Sequence, residues 1–211
     1  MCQTPRPLVA VRTSCSVLLM KMFENSDLEV LYRVSDLWQE TVFAIGDDQW
    51  GLPTPCTEWD IGQLVDHVIG GNWFTIAILE GQSADTAMAS AISSFTAGLD
   101  RAATAATTTR AQRDLLGTAG MLDGRYSHTA GELTGGDVLR LRLHDLIIHH
   151  WDLGQALHPP AMIDDDLVSW ALSDLAAPDS LPATHFELPV PAPGDGRDRH
   201  TRLLAAFGRR T

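Results

Sequence analysis

Apolar residues recur every three or four positions through most of the chain, which is the spacing of the buried face of an α-helix. The first run of this kind consists of Leu28, Leu31, Val34, Leu37 and Trp38. Ser26 and Asp27 stand before it and have the short polar side chains that cap helix N-termini. Gly46 follows Ile45 and favours a helix end there. The pattern therefore predicts a first helix that begins after Ser26 and Asp27 and ends near Ile45.

The middle of the chain alternates between strong and weak helix patterns. A second helix is predicted over 60–79, where the apolar positions form a broad face, after a proline-containing loop at 49–58. A third helical region is predicted over 85–106, which is rich in alanine, serine and threonine. Residues 107–136 are rich in glycine, and we expect them to be irregular apart from a short helix at 112–116.

The helical spacing returns towards the C-terminus. A fourth helix is predicted over 137–157, because two prolines that follow it prevent its continuation. A fifth helix is predicted over 164–175, where aspartates cap its start, and a final short helix at 203–207. Between these two helices lies a linker rich in proline and glycine at 188–196, and residues 186–190 are the candidate β-strand.

Four substantial helices, with one long connection before the fourth, predict an all-α four-helix bundle with a small C-terminal helical appendage. We expect residues 1–24 to form a poorly ordered leader and residues 25–160 to form the bundle. The remaining residues, 161–211, would supply a helix and a proline-rich tail that pack on the bundle. A chain of 211 residues is long enough for one sizeable core of this kind.

The charge balance narrows the range of functions. Lys and Arg number 15 against 27 Asp and Glu, which gives a formal net charge of -12 at pH 7. Such a chain is poorly suited to nucleic acid or to an anionic membrane surface, and it has no run of about 20 apolar residues that could span a bilayer. The cysteines, Cys2, Cys15 and Cys56, have neither a disulfide framework nor the spacing of a metal knuckle. We therefore expect a cytoplasmic protein with small-molecule partners, either a monomer or a homodimer.

The predicted fourth helix carries the most informative group of ionisable side chains. Because each helical residue turns by about 100°, Asp145, His149 and Asp152 share one face, whereas His144 and His150 point elsewhere. A carboxylate and an imidazole four residues apart suit a divalent metal ion, since the helix fixes their separation. The same pair could instead form a simple hydrogen bond, so the spacing leaves both interpretations open.

A metal site inside a bundle also needs a ligand from a facing helix. His67 on the predicted second helix is the candidate, and the nearby Gly70 and Gly71 would let another helix approach closely. Two imidazoles and one carboxylate would leave coordination positions for water or substrate, as in catalytic metal sites. His67 is also compatible with a hydrogen-bonded core residue, and the glycines with ordinary close packing.

Several motifs of the chain resemble those of a known superfamily. Residues 53–60 and 64–72 read PTPCTEWD and LVDHVIGGN, and residues 145–153 read DLIIHHWDL. Together they resemble the motifs of the DinB-like metal-binding four-helix bundles, in the branch related to mycothiol-dependent maleylpyruvate isomerase. The ending of the chain, FELPVPAP at 186–193 and RLLAAFGR at 202–209, is similar to the tail of the same branch. The resemblance covers nearly everything except the leader.

The resemblance implies that His67, Asp145 and His149 bind a divalent ion, with zinc as the first choice and nickel as the alternative. Asp145 stands where the isomerase relatives have glutamate, so its shorter side chain requires a closer approach of the two helices or weakens coordination. Asp152 would orient a ligand histidine from behind the site. The side chains expected to form the pocket wall are Trp59, Trp73 and Trp151.

The resemblance also implies a low-molecular-weight thiol such as mycothiol as a cofactor, because a metal-bound thiol loses its proton and becomes a nucleophile. We expect no cysteine of this chain to lie beside the proposed ligands, so the reactive sulfur would come from the cofactor. The leading hypothesis is a metal-dependent thiol S-transferase or isomerase. A metal-dependent hydrolase and a non-catalytic bundle that binds metal or a small ligand are the alternatives.

Overall fold

A computed structural model gives the architecture, and it describes residues 15–95, 100–157, 160, 162–178, 180–181 and 198–209, with only the backbone for residues 15–26. The helices are α1 (Cys15–Phe43), α2 (Ile61–Leu79), α3 (Ala84–Ser93), α4 (Arg101–Leu116), α5 (Gly135–Ala156), α6 (Asp165–Leu175) and α7 (Arg199–Ala206). Two short strands, β1 (Arg125–His128) and β2 (Gly131–Thr134), pair antiparallel as a hairpin, with Tyr126 opposite Leu133.

Four of these helices form the bundle. α1 and α2 each contact both α4 and α5, so the four helices surround one core. Fully buried apolar side chains fill that core, among them Leu31, Trp38, Leu64, Ile69, Leu143 and Leu146. The predicted all-α four-helix bundle is therefore confirmed. α6 and α7 contact each other and form the predicted C-terminal appendage, while α3 packs on α2.

The helices that carry the candidate site, α2 and α5, begin at strong caps. At the start of α2, the Asp60 carboxylate accepts from the Gln63 backbone N–H, and the Gln63 side chain accepts from the Asp60 N–H. Thr134 and Asp137 form the same reciprocal pair at the start of α5. Both helices lie within two residues of their predicted bounds.

The first helix begins earlier than predicted. α1 starts at Cys15 rather than after Ser26, because no proline or glycine interrupts this stretch of the chain. Asp27 is not a cap: its carboxylate accepts from Arg140 Nε at 3.2 Å and from Trp170 Nε1 at 2.9 Å. Asp27 thus joins α1 to α5 and α6, which the local pattern could not show. The division of the chain into leader, bundle and tail stays a prediction.

The region predicted as one helix over 85–106 contains parts of two helices. α3 ends at Ser93, and α4 begins after Asp100, whose carboxylate accepts a backbone N–H of the first turn at 3.0 Å. α4 continues through residues 107–111, which were wrongly predicted to be irregular, and includes the short helix predicted at 112–116. Tertiary contacts there offset the low helix propensity of threonine. The buried polar side chains involved are Thr108, Thr109 and Gln112.

The remaining predictions of secondary structure were wrong in one place and agreed at least in part in two others. The hairpin lies in residues predicted to be irregular, and it contacts α2 and α5. The fifth predicted helix, 164–175, is confirmed as α6, whereas the final helix begins at Arg199 rather than at residue 203. The strand candidate at 186–190 and the linker at 188–196 lie outside the described residues. Within the described part of the chain, no helix is long and apolar enough to cross a membrane.

Candidate metal centre

His67, Asp145 and His149 come together where α2 meets α5. Asp145 Oδ1 lies 3.3 Å from His67 Nε2 and 3.3 Å from His149 Nε2. The potential ligand atoms of the three residues all lie within 4.8 Å of one another, and the two imidazole centroids are 4.9 Å apart. The three side chains are therefore close neighbours, although 78 positions separate His67 from Asp145 in the sequence.

These separations fit the donor set of a divalent metal ion. In a tetrahedral zinc site with bonds of about 2.0–2.1 Å, two ligand atoms lie about 3.3 Å apart. Imidazole nitrogens and carboxylate oxygens are also among the ligands that zinc accepts in proteins. The shorter side chain of aspartate does reach both histidines here, because α2 and α5 are in direct contact.

Asp145 divides its two oxygens between two partners. Oδ1 faces the histidines, whereas Oδ2 accepts from Arg142 Nη1 at 2.5 Å. Gly71 on the facing helix makes room for this arginine, because a Cβ at that position would lie only 3.0 Å from the Arg142 Cζ. Gly70 makes room for another side chain, since its Cβ would lie 3.3 Å from the ring of Phe95. The glycine pair therefore accommodates two side chains rather than a neighbouring backbone.

A buried polar network holds Arg142 in place. Its Nε donates to Gln112 Oε1 at 3.1 Å, and its Nη2 donates to Asn72 Oδ1 at 2.9 Å. The Asn72 amide then donates to the hydroxyls of Thr108 and Thr109. The network links α4, α2 and α5, so α4 helps to orient Asp145. The sequence analysis did not identify Arg142, Gln112 and Asn72 as parts of the site. The signal that could have indicated Arg142 is its position three residues before Asp145, on the same face of a helix.

His149 is fixed on its other side by Asp152. His149 Nδ1 donates to Asp152 Oδ2 at 3.0 Å, so that Nε2 is the nitrogen left for a metal ion. Asp152 is fully buried and also accepts from Arg209, from Nε at 3.0 Å and from Nη2 at 2.5 Å. Carboxylate–histidine pairs of this kind orient metal-bound histidines in many proteins.

Arg209 reaches Asp152 because of the way in which α7 ends. Gly208 has a φ of 71°, a left-handed conformation that glycine adopts at no steric cost. The Gly208 N–H bonds to the Ala205 carbonyl at 3.0 Å and the Arg209 N–H to the Leu204 carbonyl at 2.8 Å, which are the two bonds of a Schellman motif. The chain turns at this point and brings Arg209 to α5. No local pattern assigned this residue to the site.

The charges of the site are strongly coupled. Burial alone would raise the pKa of Asp145, but Arg142 and then His149 outweigh it and hold the pKa well below its usual value. Burial would likewise lower the pKa of His149, but Asp145 and Asp152 raise it to about 9. Burial would raise the pKa of Asp152 as well, but hydrogen bonds with His149 and Arg209 outweigh it and lower this pKa. Two carboxylates therefore remain ionised beside the imidazoles, paired with Arg142 and Arg209, and a metal ion at His149 Nε2 would take the place of a proton.

The loop before α2 brings Trp59 next to both histidines. The Thr54 hydroxyl donates to the Trp59 carbonyl at 2.8 Å, and the Trp59 N–H bonds to the Cys56 carbonyl at 2.8 Å. The indole centroid lies 4.5 Å from that of His67 and 5.8 Å from that of His149. The motif at this loop thus works as a rigid support that positions an aromatic ring beside the site.

Cys56 also lies beside the site, and the expectation that no cysteine would do so is wrong. Its Sγ and potential ligand atoms of His149 and Asp152 lie within 4.8 Å of one another, and Arg209 Nη2 donates to the sulfur at 3.5 Å. Burial raises the pKa of the Cys56 thiol, although Arg209 acts in the opposite direction. The thiol is therefore protonated and a weak nucleophile at neutral pH. The loop and the end of α5 meet only in the folded chain, so spacing could not reveal this contact.

Two cavities meet at Trp59, which lines both. A cavity of about 360 Å³ lies between α2 and α3 and reaches His67. A second, of about 690 Å³, lies along the loop before α2 and reaches Cys56 and Arg209. The candidate centre is thus accessible from a cavity, and small molecules could approach it.

The remaining candidate side chains lie away from the three ligands. Trp73 and Trp151 pack against the hydrophobic core and line neither of these cavities. His144 Nε2 pairs with Asp174 Oδ2 at 2.9 Å, and His150 bonds to a hydroxyl of α1. Both histidines therefore face away from the site, as the helical geometry predicted.

Comparisons of sequence and of fold both relate the chain to mycothiol-dependent maleylpyruvate isomerases. A family model described as "Mycothiol maleylpyruvate isomerase N-terminal domain" matches residues 32–154, which is more than half of the chain and includes all three candidate ligands. Two uncharacterized proteins of Mycobacterium tuberculosis, MT0763 of strain CDC 1551 / Oshkosh and Rv0738 of strain ATCC 25618 / H37Rv, are each 29% identical to this chain over 162 residues. Each match covers 74% of this chain and 80% of the relative.

A solved structure has a similar fold. It is the crystal structure of a histidine-to-alanine mutant of the mycothiol-dependent maleylpyruvate isomerase, which matches with a TM-score of 0.55 and 10% sequence identity. The match covers 72% of this chain and 68% of that chain. At this level of identity, the likeness establishes the fold alone.

Proposed function

Because the chain belongs to the family of mycothiol maleylpyruvate isomerase N-terminal domains, we propose that it binds a divalent metal ion and acts as a metal-dependent thiol S-transferase or isomerase. His67, Asp145 and His149 would hold the ion, which we take to be zinc, with nickel as the alternative. The thiol would be a low-molecular-weight compound of the mycothiol type. The observation that carries the proposal is the position of Asp145 Oδ1, 3.3 Å from the Nε2 atoms of both histidines.

Residues behind the ligands prepare the site for an ion. When bound, a divalent ion would lower the pKa of a coordinated thiol and so supply a thiolate nucleophile. Asp152 accepts the Nδ1 proton of His149 and presents Nε2 to the ion. Arg142 restrains Asp145 through Oδ2 and leaves Oδ1 free to coordinate. Because these partners are buried, the ligands need little rearrangement on binding.

The reactive sulfur comes from the cofactor in this proposal, although Cys56 lies nearby. Burial raises the pKa of the Cys56 thiol, and its sulfur already accepts from Arg209. The larger cavity offers polar groups of Thr57 and Glu58 in addition to Arg209, which suits a polar thiol better than an apolar one. We therefore assign the cofactor to this cavity.

The accessibility of the ligands favours a catalytic role over a purely structural metal centre. The His67 side chain is 38% exposed and lines a cavity, so incoming molecules can reach the ligands. Three protein ligands would leave a position of a tetrahedral ion for thiol or water, as in catalytic zinc sites. Structural zinc sites, in contrast, use four protein ligands.

Metal analysis of the purified full-length chain tests the binding half of the proposal. We expect about one zinc or nickel ion per chain. The ion should be lost in His67→Ala and retained in His200→Ala, a control histidine on α7 that bonds to the Ile163 carbonyl. Failure to bind either metal stoichiometrically, even after addition of zinc and nickel salts, would contradict the site.

Thiol conjugation tests the catalytic half. Metal-loaded protein with mycothiol and an electrophile such as bromobimane or chlorodinitrobenzene should form conjugate faster than the same mixture without protein. His67→Ala should return the rate to that background, whereas His200→Ala should not. Turnover that needs no thiol would indicate a hydrolase, and metal binding without any turnover would indicate a binding protein.

A further inference from the structure

The smaller cavity has a composition that bears on the substrate. Its volume is about 360 Å³, which lies near the lower end of the range of about 300–1,000 Å³ for small-molecule sites. One wall is a single face of α2 that includes Gly70 and Phe74, and the opposite wall comes from α3. His67 lies in the α2 wall, so a molecule in the cavity would have one end beside the metal ligands.

The wall opposite α2 consists of α3 and of Phe95, which follows the end of that helix, and it exposes large apolar side chains. Met88 is 42% exposed, Ile92 67% and Phe95 39%, and all three line the cavity. Clustered exposed apolar side chains mark binding sites more often than isolated ones do. The absence of a side chain at Gly70 allows the ring of Phe95 to lie against α2, where a Cβ would approach it to 3.3 Å.

The cavity offers no free positive charge. Among the described residues that line it there is no lysine or arginine, and the acidic Asp66 is already paired with Arg101 at 2.8 and 2.9 Å. Arg142, which lies behind Gly71, has its guanidinium bound to Asp145, Gln112 and Asn72. Without a bound metal ion, a carboxylate in the cavity would therefore lose its hydration without gaining a counter-charge from a lysine or arginine of the described lining.

We propose that this cavity binds the second substrate, and that this substrate is an uncharged, apolar electrophile rather than an anionic keto acid. The inference rests on the proposed function, because only a reactive centre makes the occupant a substrate. In the transfer step, the thiol sulfur forms a bond to the electrophilic carbon while the bond to the leaving group breaks. With chlorodinitrobenzene, chloride leaves with the bonding electrons and the thiol proton passes to water.

Equilibrium binding of two unreactive probes tests the cavity without any turnover. Dinitrobenzene and dinitrobenzoate share a ring and differ by one carboxylate, and titration calorimetry of the full-length chain, with and without zinc, compares them. We expect dinitrobenzene to bind with or without zinc, and dinitrobenzoate not to bind without zinc. Ile92→Lys should weaken dinitrobenzene binding by about tenfold and strengthen dinitrobenzoate binding, because it removes apolar surface and adds a charge.

Phe43→Lys is the matched control, because Phe43 is 62% exposed and lies outside the cavity. It makes the same change of an exposed apolar residue to a cation and should leave the affinity for both probes unaltered. Ile92→Asp distinguishes the loss of apolar surface from the gain of a positive charge. It should weaken dinitrobenzene binding without strengthening dinitrobenzoate binding. Dinitrobenzene binding that is insensitive to both Ile92 variants, or equally sensitive to Phe43→Lys, would overturn the assignment.

A kinetic comparison distinguishes failure of this inference from failure of the proposed function. Metal-loaded protein with mycothiol should conjugate chlorodinitrobenzene at least about tenfold more efficiently than chlorodinitrobenzoate, after correction for their rates without protein. Equal or reversed preference would overturn the apolar substrate and leave thiol transfer standing. If neither compound is conjugated but dinitrobenzene binding is still weakened by Ile92→Lys, thiol transfer is overturned and the apolar cavity is upheld.

Discussion

His149 and His150 follow each other on α5, yet their surroundings differ in almost every respect. His149 lies between two carboxylates, with Asp145 Oδ1 3.3 Å from Nε2 and Asp152 Oδ2 3.0 Å from Nδ1. His150 Nε2 lies 3.1 Å from the Thr41 hydroxyl, and its buried Nδ1 has no hydrogen-bond partner in the described part of the chain. Against the effect of burial, the carboxylates raise the pKa of His149 to about 9, whereas burial lowers that of His150 to about 4.

The difference follows from the geometry of the helix and from what faces it. Adjacent helical residues point about 100° apart, so His149 faces α2 while His150 faces α1. Towards α2, side chains from α4, α5 and the end of α7 supply counter-charges and hydrogen bonds. Towards α1, the hydrogen-bond partner of His150 among the described residues is the Thr41 hydroxyl. Residue type alone therefore does not identify a candidate ligand, and the charged groups around the residue have to be considered as well.

The largest effect should come from removing a ligand. His149→Ala deletes one of the three proposed ligands and should weaken zinc binding by about 100-fold or more, since even the indirect partners of ligands are worth about 10–100-fold. Competition with a chromogenic chelator measures the dissociation constant. The matched variant His150→Ala should bind zinc as the wild type does, and equal losses in the two variants would remove the contrast between the neighbouring histidines.

The next effect should come from the carboxylate behind His149. Asp152→Asn removes a charged acceptor from Nδ1 and should weaken zinc binding by about 10–100-fold. The control is Asp174→Asn, which removes the carboxylate that bonds to His144 at 2.9 Å on another face of α5. The control should leave the affinity unchanged, and an Asp152→Asn protein with wild-type affinity would show that His149 needs no such support.

His150 should affect the pH dependence of stability. Its folded-state pKa of about 4 lies below the unfolded value of about 6.5, so the unfolded chain binds the proton more tightly. The resulting contribution to stability is present above pH 6.5 and is lost as the pH falls towards 4. Between pH 7 and pH 5, the free energy of unfolding should fall by about 2 kcal/mol more in the wild type than in His150→Gln. Urea unfolding measures both, and parallel losses would contradict a neutral, buried His150.

The smallest effect should come from Arg209, which acts on the ligand through Asp152. Arg209→Gln should weaken zinc binding by about tenfold, the lower end of the range for indirect partners. Arg209→Lys keeps the charge but loses the two-pronged contact, so its affinity should lie between those of wild type and Arg209→Gln. The control is Arg199→Gln at the start of α7, whose side chain bonds to Ser169 at 2.7 Å, and it should have no effect. A similar loss in both glutamine variants would point to the appendage as a whole rather than to Arg209.

Sequence patterns were sufficient for the features that one helix determines by itself. The strong apolar period and the neighbouring prolines placed α2 and α5 within two residues of their observed bounds. A spacing of four residues brings Asp145 and His149 onto one face of any helix, so their proximity needed no tertiary information. His67 required more, because its approach to them depends on how α2 packs against α5, and a family resemblance supplied what periodicity could not.

The parts that the sequence did not reveal all depend on contacts between distant segments. Arg142, Arg209 and Cys56 meet partners on other elements, and no local spacing records which remote side chains come together. The same reason explains why residues 107–111 of α4 were predicted to be irregular. The threonines there have low helix propensity, and the bonds of Thr108 and Thr109 to Asn72 exist only in the folded bundle. Asp27, which resembles a cap in sequence, is likewise a tertiary partner.

The indole of Trp59, with its centroid 4.5 Å from that of His67, gives the site a built-in optical reporter. An imidazole beside an indole quenches its emission, and a metal ion bound to that imidazole would change the quenching. Binding of a metal ion at the proposed centre should therefore be measurable through intrinsic fluorescence without a label. Trp59→Phe removes this part of the emission and identifies its source among the tryptophans of the chain.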